Sequence, residues 1–298
     1  MSLRFATPDS TCGAYRWYYA DASAGDLTAV AIFMIGTVFS PRYAAAGTKG
    51  RPLEHCAVNF ALYRSGVRQA WVFSGYRTAT LHGPRLQIGQ SSLAYGPDGS
   101  VQIQIADRTA PWGRPLAATL NLWPACPTAE AVALVPGHSH QWQALAARCR
   151  SALTVSDGEP KLGSGYHDTN WGSVPLGTDL PGWSWTRVHR AGATEVRYRP
   201  CGSGDELRLS AYSDRVEIER SAPDPSDSAR TWWGLRVPRD LGASGESPKL
   251  LESSPFYARL ESQSGSAHAL AEVADFARFA RPSVRWMAHF RSRDGRAT

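Results

Sequence analysis

The chain has 298 residues, 43% hydrophobic and 19% charged, which excludes a peptide, a many-domain machine and a disordered chain. Its formal charge of +6 is carried mostly by dispersed arginines, with no Lys/Arg block of five, so nucleic acid is not an expected partner. Eleven Trp and eleven Tyr against three Met, with 27 Gly and 20 Pro, point to β architecture and to an apolar ligand, because aromatic side chains line such pockets.

The first residues, MSLRFATPDSTCG, lack the apolar core of a signal peptide. The longest apolar run, Leu27 to Phe39, is too short to cross a bilayer and reads as buried core. Ser91–Tyr95 and Val101–Ile105 flank Pro97-Asp98-Gly99, which predicts a hairpin. His138 and His140 form a His-x-His pair with no third ligand nearby, so no metal is expected. Turn residues at Ser156–Pro160 suggest a boundary between a domain over 1–157 and another over 158–298.

Next comes the densest polar-aromatic stretch, Gly163 to Trp185. On a strand, Tyr166, Asp168 and Asn170 share one face, and His167, Thr169 and Trp171 the other. A buried face with Asp, Tyr and Asn suits a reactive site, although a satisfied structural network would bury the same residues. Further strands are predicted over Arg187–Tyr198 and Leu207–Arg220, and loops over Ser221–Ala229 and Leu241–Pro248. Phe276, Phe279, Ala280, Val284 and Met287 recur at helical spacing, with Pro282 starting or kinking the helix. Arg278, Arg281, Arg285, Arg291, Arg293 and Arg296 lie beside Trp286 and Phe290, a pattern that suits a lipid headgroup surface. The five cysteines, Cys12, Cys56, Cys126, Cys149 and Cys201, include no Cys-x-x-Cys and read as free buried thiols in a reducing compartment. No Walker loop, dinucleotide fingerprint or Gly-x-Ser-x-Gly elbow is present, so no cofactor is expected.

An ordered set of motifs spans nearly the whole chain. It comprises WYYADA at Trp17–Ala22, GTVFSP at Gly36–Pro41, HCAVNFALY at His55–Tyr63, His140-x-Trp142, GYHDTNWG at Gly165–Gly172, WSW at Trp183–Trp185 and SPFYAR at Ser254–Arg259. In this set the chain resembles the carotenoid 1,2-hydratase (hydroxyneurosporene synthase) family. The resemblance implies a mainly β fold of two lipocalin-like or β-sandwich domains, here with a short C-terminal helix. It also implies cofactor-free addition of water to the terminal C1–C2 double bond of an acyclic carotenoid. Catalytic roles then fall on His140, Trp142, Tyr166 and Asp168, with Tyr63, Asn170, Trp171, Trp183 and Trp185 along the substrate.

Elementary chemistry agrees with that implication. An isolated alkene is a poor base, so hydration needs a carboxylic acid still protonated near neutral pH, and apolar surroundings raise a carboxyl pKa. The chain departs from the family at Thr169, where His is usual, at Ser173 and Val174, which replace acidic residues, at Ser184, which replaces Asp, and at Arg42, where an aromatic is common. A cyclase using the same pocket and a non-catalytic carrier of apolar ligands are the competing expectations. The expected setting is cytoplasmic, peripheral to the inner face of the membrane, with a long polyene as the partner.

Overall fold

The computed structural model describes residues 5, 11, 13–223, 227–243, 247–291 and 293–294. Thirteen strands form one curled sheet and seven form a second, with a two-stranded ribbon of Ser228–Arg230 and Arg236–Pro238 beside them. The strand Tyr15–Ala24 lies centrally in the large sheet, between Leu27–Ile35 and Lys161–Gly172, antiparallel to both.

Strict alternation along Tyr15–Ala24 explains the layering. Tyr18, Ala20 and Ala22 enter a core that the large sheet encloses by curling on itself, with Phe33, Phe60, Leu93 and Ile103. Ser74 and Tyr76 donate to the Asp107 carboxylate at 3.0 and 2.9 Å, and so tie together strands that are not neighbours in the sheet. Trp17 and Tyr19 point the other way, into the core between the two sheets, with Trp142, Tyr166, Trp183 and Trp185. The far face of the second sheet carries a third, smaller core, where Leu235, Val237 and Leu241 pack on Val188, Leu260 and Val273. The architecture is the mainly β, lipocalin-like one expected, and the Pro97–Gly99 hairpin forms between Ser91–Tyr95 and Val101–Arg108.

Ionic groups also cross between the sheets. Arg187 of the second sheet is wholly buried and donates to the equally buried Asp21 of the first. It also donates to Nδ1 of His268 at 3.0 Å, and His268 Nε2 reaches Glu261 at 2.9 Å. Thr28 of the large sheet donates to the same Glu261 carboxylate.

The Ser156–Pro160 turn joins two paired strands of the large sheet, Gln141–Val155 and Lys161–Gly172. The chain passes to the second sheet only over 173–181. Turn chemistry marks a chain reversal, and a reversal within one sheet looks the same in sequence as one between sheets. The C-terminal helical pattern resolves into two helices, Phe276–Phe279 and Pro282–Arg291, with Pro282 opening the second, where its missing N–H costs nothing. Of the cysteines, Cys56 and Cys149 are free and buried, Cys126 is half-buried and Cys201 is exposed, while Cys12 lies outside the described residues.

Gly165 marks where close packing demands glycine. A Cβ there would sit 2.5 Å from Leu122 Cδ2 and 2.8 Å from the Asp21 carbonyl oxygen. Gly165→Ala is expected to cost about 1–3 kcal/mol, from overpacking beside the backbone of Asp21. Denaturant unfolding reads this directly, and an unchanged midpoint would contradict the packing described.

Candidate active site

The strand Lys161–Gly172 carries Tyr166, Asp168 and Asn170 on the face turned to the second sheet, as its period-two pattern predicts. Asp168 is 2% exposed. Its Oδ2 accepts from Trp142 Nε1 at 2.9 Å and from Tyr166 OH at 2.8 Å, and its Oδ1 accepts from Asn170 Nδ2 at 3.1 Å. Asn170 Oδ1 in turn accepts from His140 Nε2 at 3.2 Å and from Tyr198 OH at 3.1 Å. An amide oxygen only accepts, so His140 carries its proton on Nε2 and takes the Tyr15 hydroxyl on Nδ1. One continuous chain thus runs Tyr15, His140, Asn170, Asp168, with Tyr166 and Trp142 on its acid end.

No ion pair with a cation is formed by Asp168 among the described residues. Burial therefore dominates and pushes its pKa up to about 7, against the pull of its Trp142 and Tyr166 donors. Burial also lowers the His140 pKa to about 4, which keeps the imidazole neutral. The site holds an uncharged histidine beside a carboxyl that is still substantially protonated near neutral pH.

A cavity of about 330 Å³ opens beside this cluster, walled by Trp17, Ile32, Met34, Phe39, Phe73 and Trp183 among others. Asp168 does not line it; one layer of aromatic rings intervenes. Tyr19 lines the cavity and packs on Tyr166, with ring centres 6.1 Å apart. Trp183 lines it and packs on Tyr198 at 6.2 Å, and Tyr15 lines it while bonding His140.

The expected site residues thus divide. His140, Trp142, Tyr166, Asp168 and Asn170 form one hydrogen-bonded cluster. Trp183 walls the cavity, and Trp185 supports Tyr19 and Tyr166 from behind at 5.2 and 5.4 Å. Trp171 lies on the opposite strand face, half-buried, with the Arg16 guanidinium 4.4 Å from its ring centre, and so stands apart from the acid. Tyr63 does not line the cavity; it is buried beside it and donates to Glu252. His138 is exposed, with Nδ1 2.7 Å from the Asp179 carbonyl, so the two histidines of the pair do not converge.

Sequence reasoning assigned no role to the cavity's own polar end. Arg259 Nε donates to Glu272 at 2.9 Å, and its NH1 reaches Tyr63 OH at 2.8 Å and Glu252 at 3.2 Å. Arg259, Glu252, Glu272 and Tyr257 all line the cavity, and the buried hydroxyls of Tyr19 and Tyr257 have no hydrogen-bond partner among the described residues. The signal was present: Glu272 interrupts an apolar strand, and Tyr257 and Arg259 close the SPFYAR motif.

A sequence profile described as Carotenoid hydratase CrtC matches residues 31–296. The acyclic carotenoid 1,2-hydratase of Thiocapsa roseopersicina is 33% identical to this chain, over 94% of it and 73% of the relative. The enzyme of the same name from Rubrivivax gelatinosus is 30% identical, over 85% of this chain and 66% of the relative. Among solved structures, an AttH-type protein from Nitrosomonas europaea superposes with a TM-score of 0.58 at 14% identity, covering 92% of this chain and 97% of that one, and so shares the fold.

Proposed function

The chain belongs to the carotenoid hydratase CrtC family, and on that premise we propose that it adds water across the terminal C1–C2 double bond of an acyclic carotenoid by cofactor-free acid catalysis. The observation that carries this reading is Asp168, a buried carboxyl raised to about 7, held by Tyr166, Trp142 and Asn170 behind the wall of an apolar cavity.

In this mechanism the chain end of the polyene lodges in the cavity and reaches Asp168 Oδ1 when the intervening rings of Tyr19 and Trp183 part before it; Oδ1 has room for a proton because it accepts one hydrogen bond where Oδ2 accepts two. The proton passes to C2, and the π electrons that take it up leave a tertiary cation at C1. The faces of Tyr19, Trp183 and Trp17 stabilise that cation. Water then adds to C1 and releases a proton, which restores the protein's proton count. Two carboxyls in different surroundings divide the work. Asp168 lacks a cation and serves as the acid. Glu272 is engaged by Arg259 and, with the Tyr257 hydroxyl, orients the attacking water. His140, neutral and fixed by Tyr15, holds the Asn170 amide toward the acid.

The protonated acid is the active form, so kcat/KM should be level below about 7 and fall about tenfold per pH unit above it, as proton delivery by a group of this pKa requires. Turnover of detergent-dispersed lycopene, followed by the mass of one added water, measures this. Activity that rises through the mildly alkaline range would contradict Asp168 as the acid.

A further inference from the structure

The cavity opens through an unusual surface. Two of its lining residues, Trp233 and Trp286, are 42% and 65% exposed, and Trp232, next to the first, is 93% exposed. They come from distant parts of the chain. Trp232 and Trp233 occupy the turn of the small ribbon, whereas Trp286 lies on the helix Pro282–Arg291. Arg278 fastens the two regions together by donating to the carbonyls of Trp233 and Gly234 at 2.9 Å each. Large exposed apolar rings gathered at a cavity mouth seek a partly apolar phase outside the protein.

Charge on the same lip selects the phase. Arg239 pairs with Asp227 at 3.5 Å and Arg278 with Asp275 at 3.2 Å, with Asp240 next to Arg239, whereas Arg230, Arg236, Arg281 and Arg285 form no ion pair among the described residues. Arg230, Arg236 and Arg281 are exposed, and Arg285 stacks over Phe279 at 5.6 Å. Tryptophan rings sit at the headgroup level of bilayers, and each arginine near an anionic surface adds attraction. The side chains of Phe290, Arg291 and Arg293, and the whole of Arg296, lie outside the described residues.

We infer that this lip, formed by Trp232, Trp233 and Trp286 with Arg230, Arg236 and Arg281, docks on an anionic lipid bilayer and sets the cavity mouth against the membrane. The two sources of the lip explain its design. Together the ribbon and the helix present two rings at one opening, Trp233 and Trp286, with the exposed Trp232 next to the first. No described helix is long and apolar enough to cross a membrane. A long apolar ligand would then pass from lipid to cavity without crossing water. The inference holds whichever reaction the cavity serves.

The test uses the full chain and vesicles of phosphatidylcholine with or without phosphatidylglycerol. Wild-type protein should sediment with the anionic vesicles, and less as salt rises. The pair Trp232→Ser and Arg281→Glu replaces no cavity-lining residue and should weaken that partitioning about tenfold or more. Turnover of detergent-dispersed substrate by the pair should stay unchanged. Wild-type protein that ignores both vesicles overturns the inference, as does a pair variant that binds like wild type. Lipid-free self-association abolished by Trp232→Ser, with vesicle binding intact, would mark the lip as a contact between copies and overturn it equally.

Discussion

Asp168→Asn is expected to lower turnover of an acyclic carotenoid by about a hundred- to ten-thousandfold, the usual contribution of a positioned general acid. The substitution preserves the shape of the side chain and an oxygen to receive Trp142 Nε1 and Tyr166 OH. It removes the proton that the alkene must take up, together with the one hydrogen bond that Oδ1 accepts from Asn170 Nδ2, because the amide NH2 standing there can only donate. The loss of turnover is expected to exceed any loss of folded protein. The raised pKa means that the native state favours the protonated carboxyl. Its contribution to stability is thus full below the ordinary aspartate range near 4 and lost as pH rises through about 7. Asn cannot ionise and escapes that loss, so the variant's unfolding midpoint should be least affected in mildly alkaline buffer. Single-turnover rates, with unfolding followed by circular dichroism, separate the two effects. A variant that keeps its rate would remove Asp168 from the chemistry and leave it as part of a structural network. Glu272→Gln is the informative companion. It leaves the acid in place and should slow water capture, so the carotenoid cation is diverted to elimination or ring closure while consumption of substrate continues.

The largest stability effect is expected at the ionic crossing between the sheets. Arg187 and Asp21 are both wholly buried. Arg187→Met leaves the Asp21 carboxylate without its cation in the interior and should cost about 3–5 kcal/mol, the penalty typical of a broken buried pair. Replacing both groups, as in Asp21→Leu with Arg187→Met, should cost far less than the sum of the single changes, because no charge is then stranded. Denaturant unfolding of the three variants measures the coupling. Additive losses would mean that the pair contributes to stability only through its separate contacts.

Local periodicity and global packing account for what was and was not legible before the fold was known. The face shared by Tyr166, Asp168 and Asn170 follows from strand geometry alone, and so does the placing of Trp171 on the other side. The position of Trp171 beneath Arg16 shows that an aromatic next to a candidate acid need not face the same way. Long-range partners are a different matter. Arg187 finds Asp21 across 166 positions, and Arg259 finds Tyr63 across 196. Arginine is a surface residue by default, and no local pattern marks the two that the sheets enclose. Tyr19 and Asp21 stood inside the WYYADA motif as residue types without roles. They gained roles when the second sheet supplied Trp185 and Arg187 opposite them.

The departures beside the acid can now be placed as well. Thr169, standing where His is usual, points away from Asp168 and donates to the Trp17 carbonyl at 3.0 Å. His167 faces the barrel core, donating from Nδ1 to the Tyr19 carbonyl at 2.7 Å, with Nε2 3.0 Å from Tyr95 OH. Ser184 sits between Trp183 and Trp185 and so lies on the opposite face of its strand. None of these side chains contacts the acid, so the departures leave its donors intact.

The most direct measurement is the origin of the product's new atoms. Purified protein turning over lycopene in oxygen-18 water containing deuterium should yield a tertiary alcohol with one oxygen-18 at C1 and one deuterium at C2 for each hydrated end. A product without solvent oxygen, or a ring-closed isomer of unchanged composition, would contradict hydration through a C1 cation.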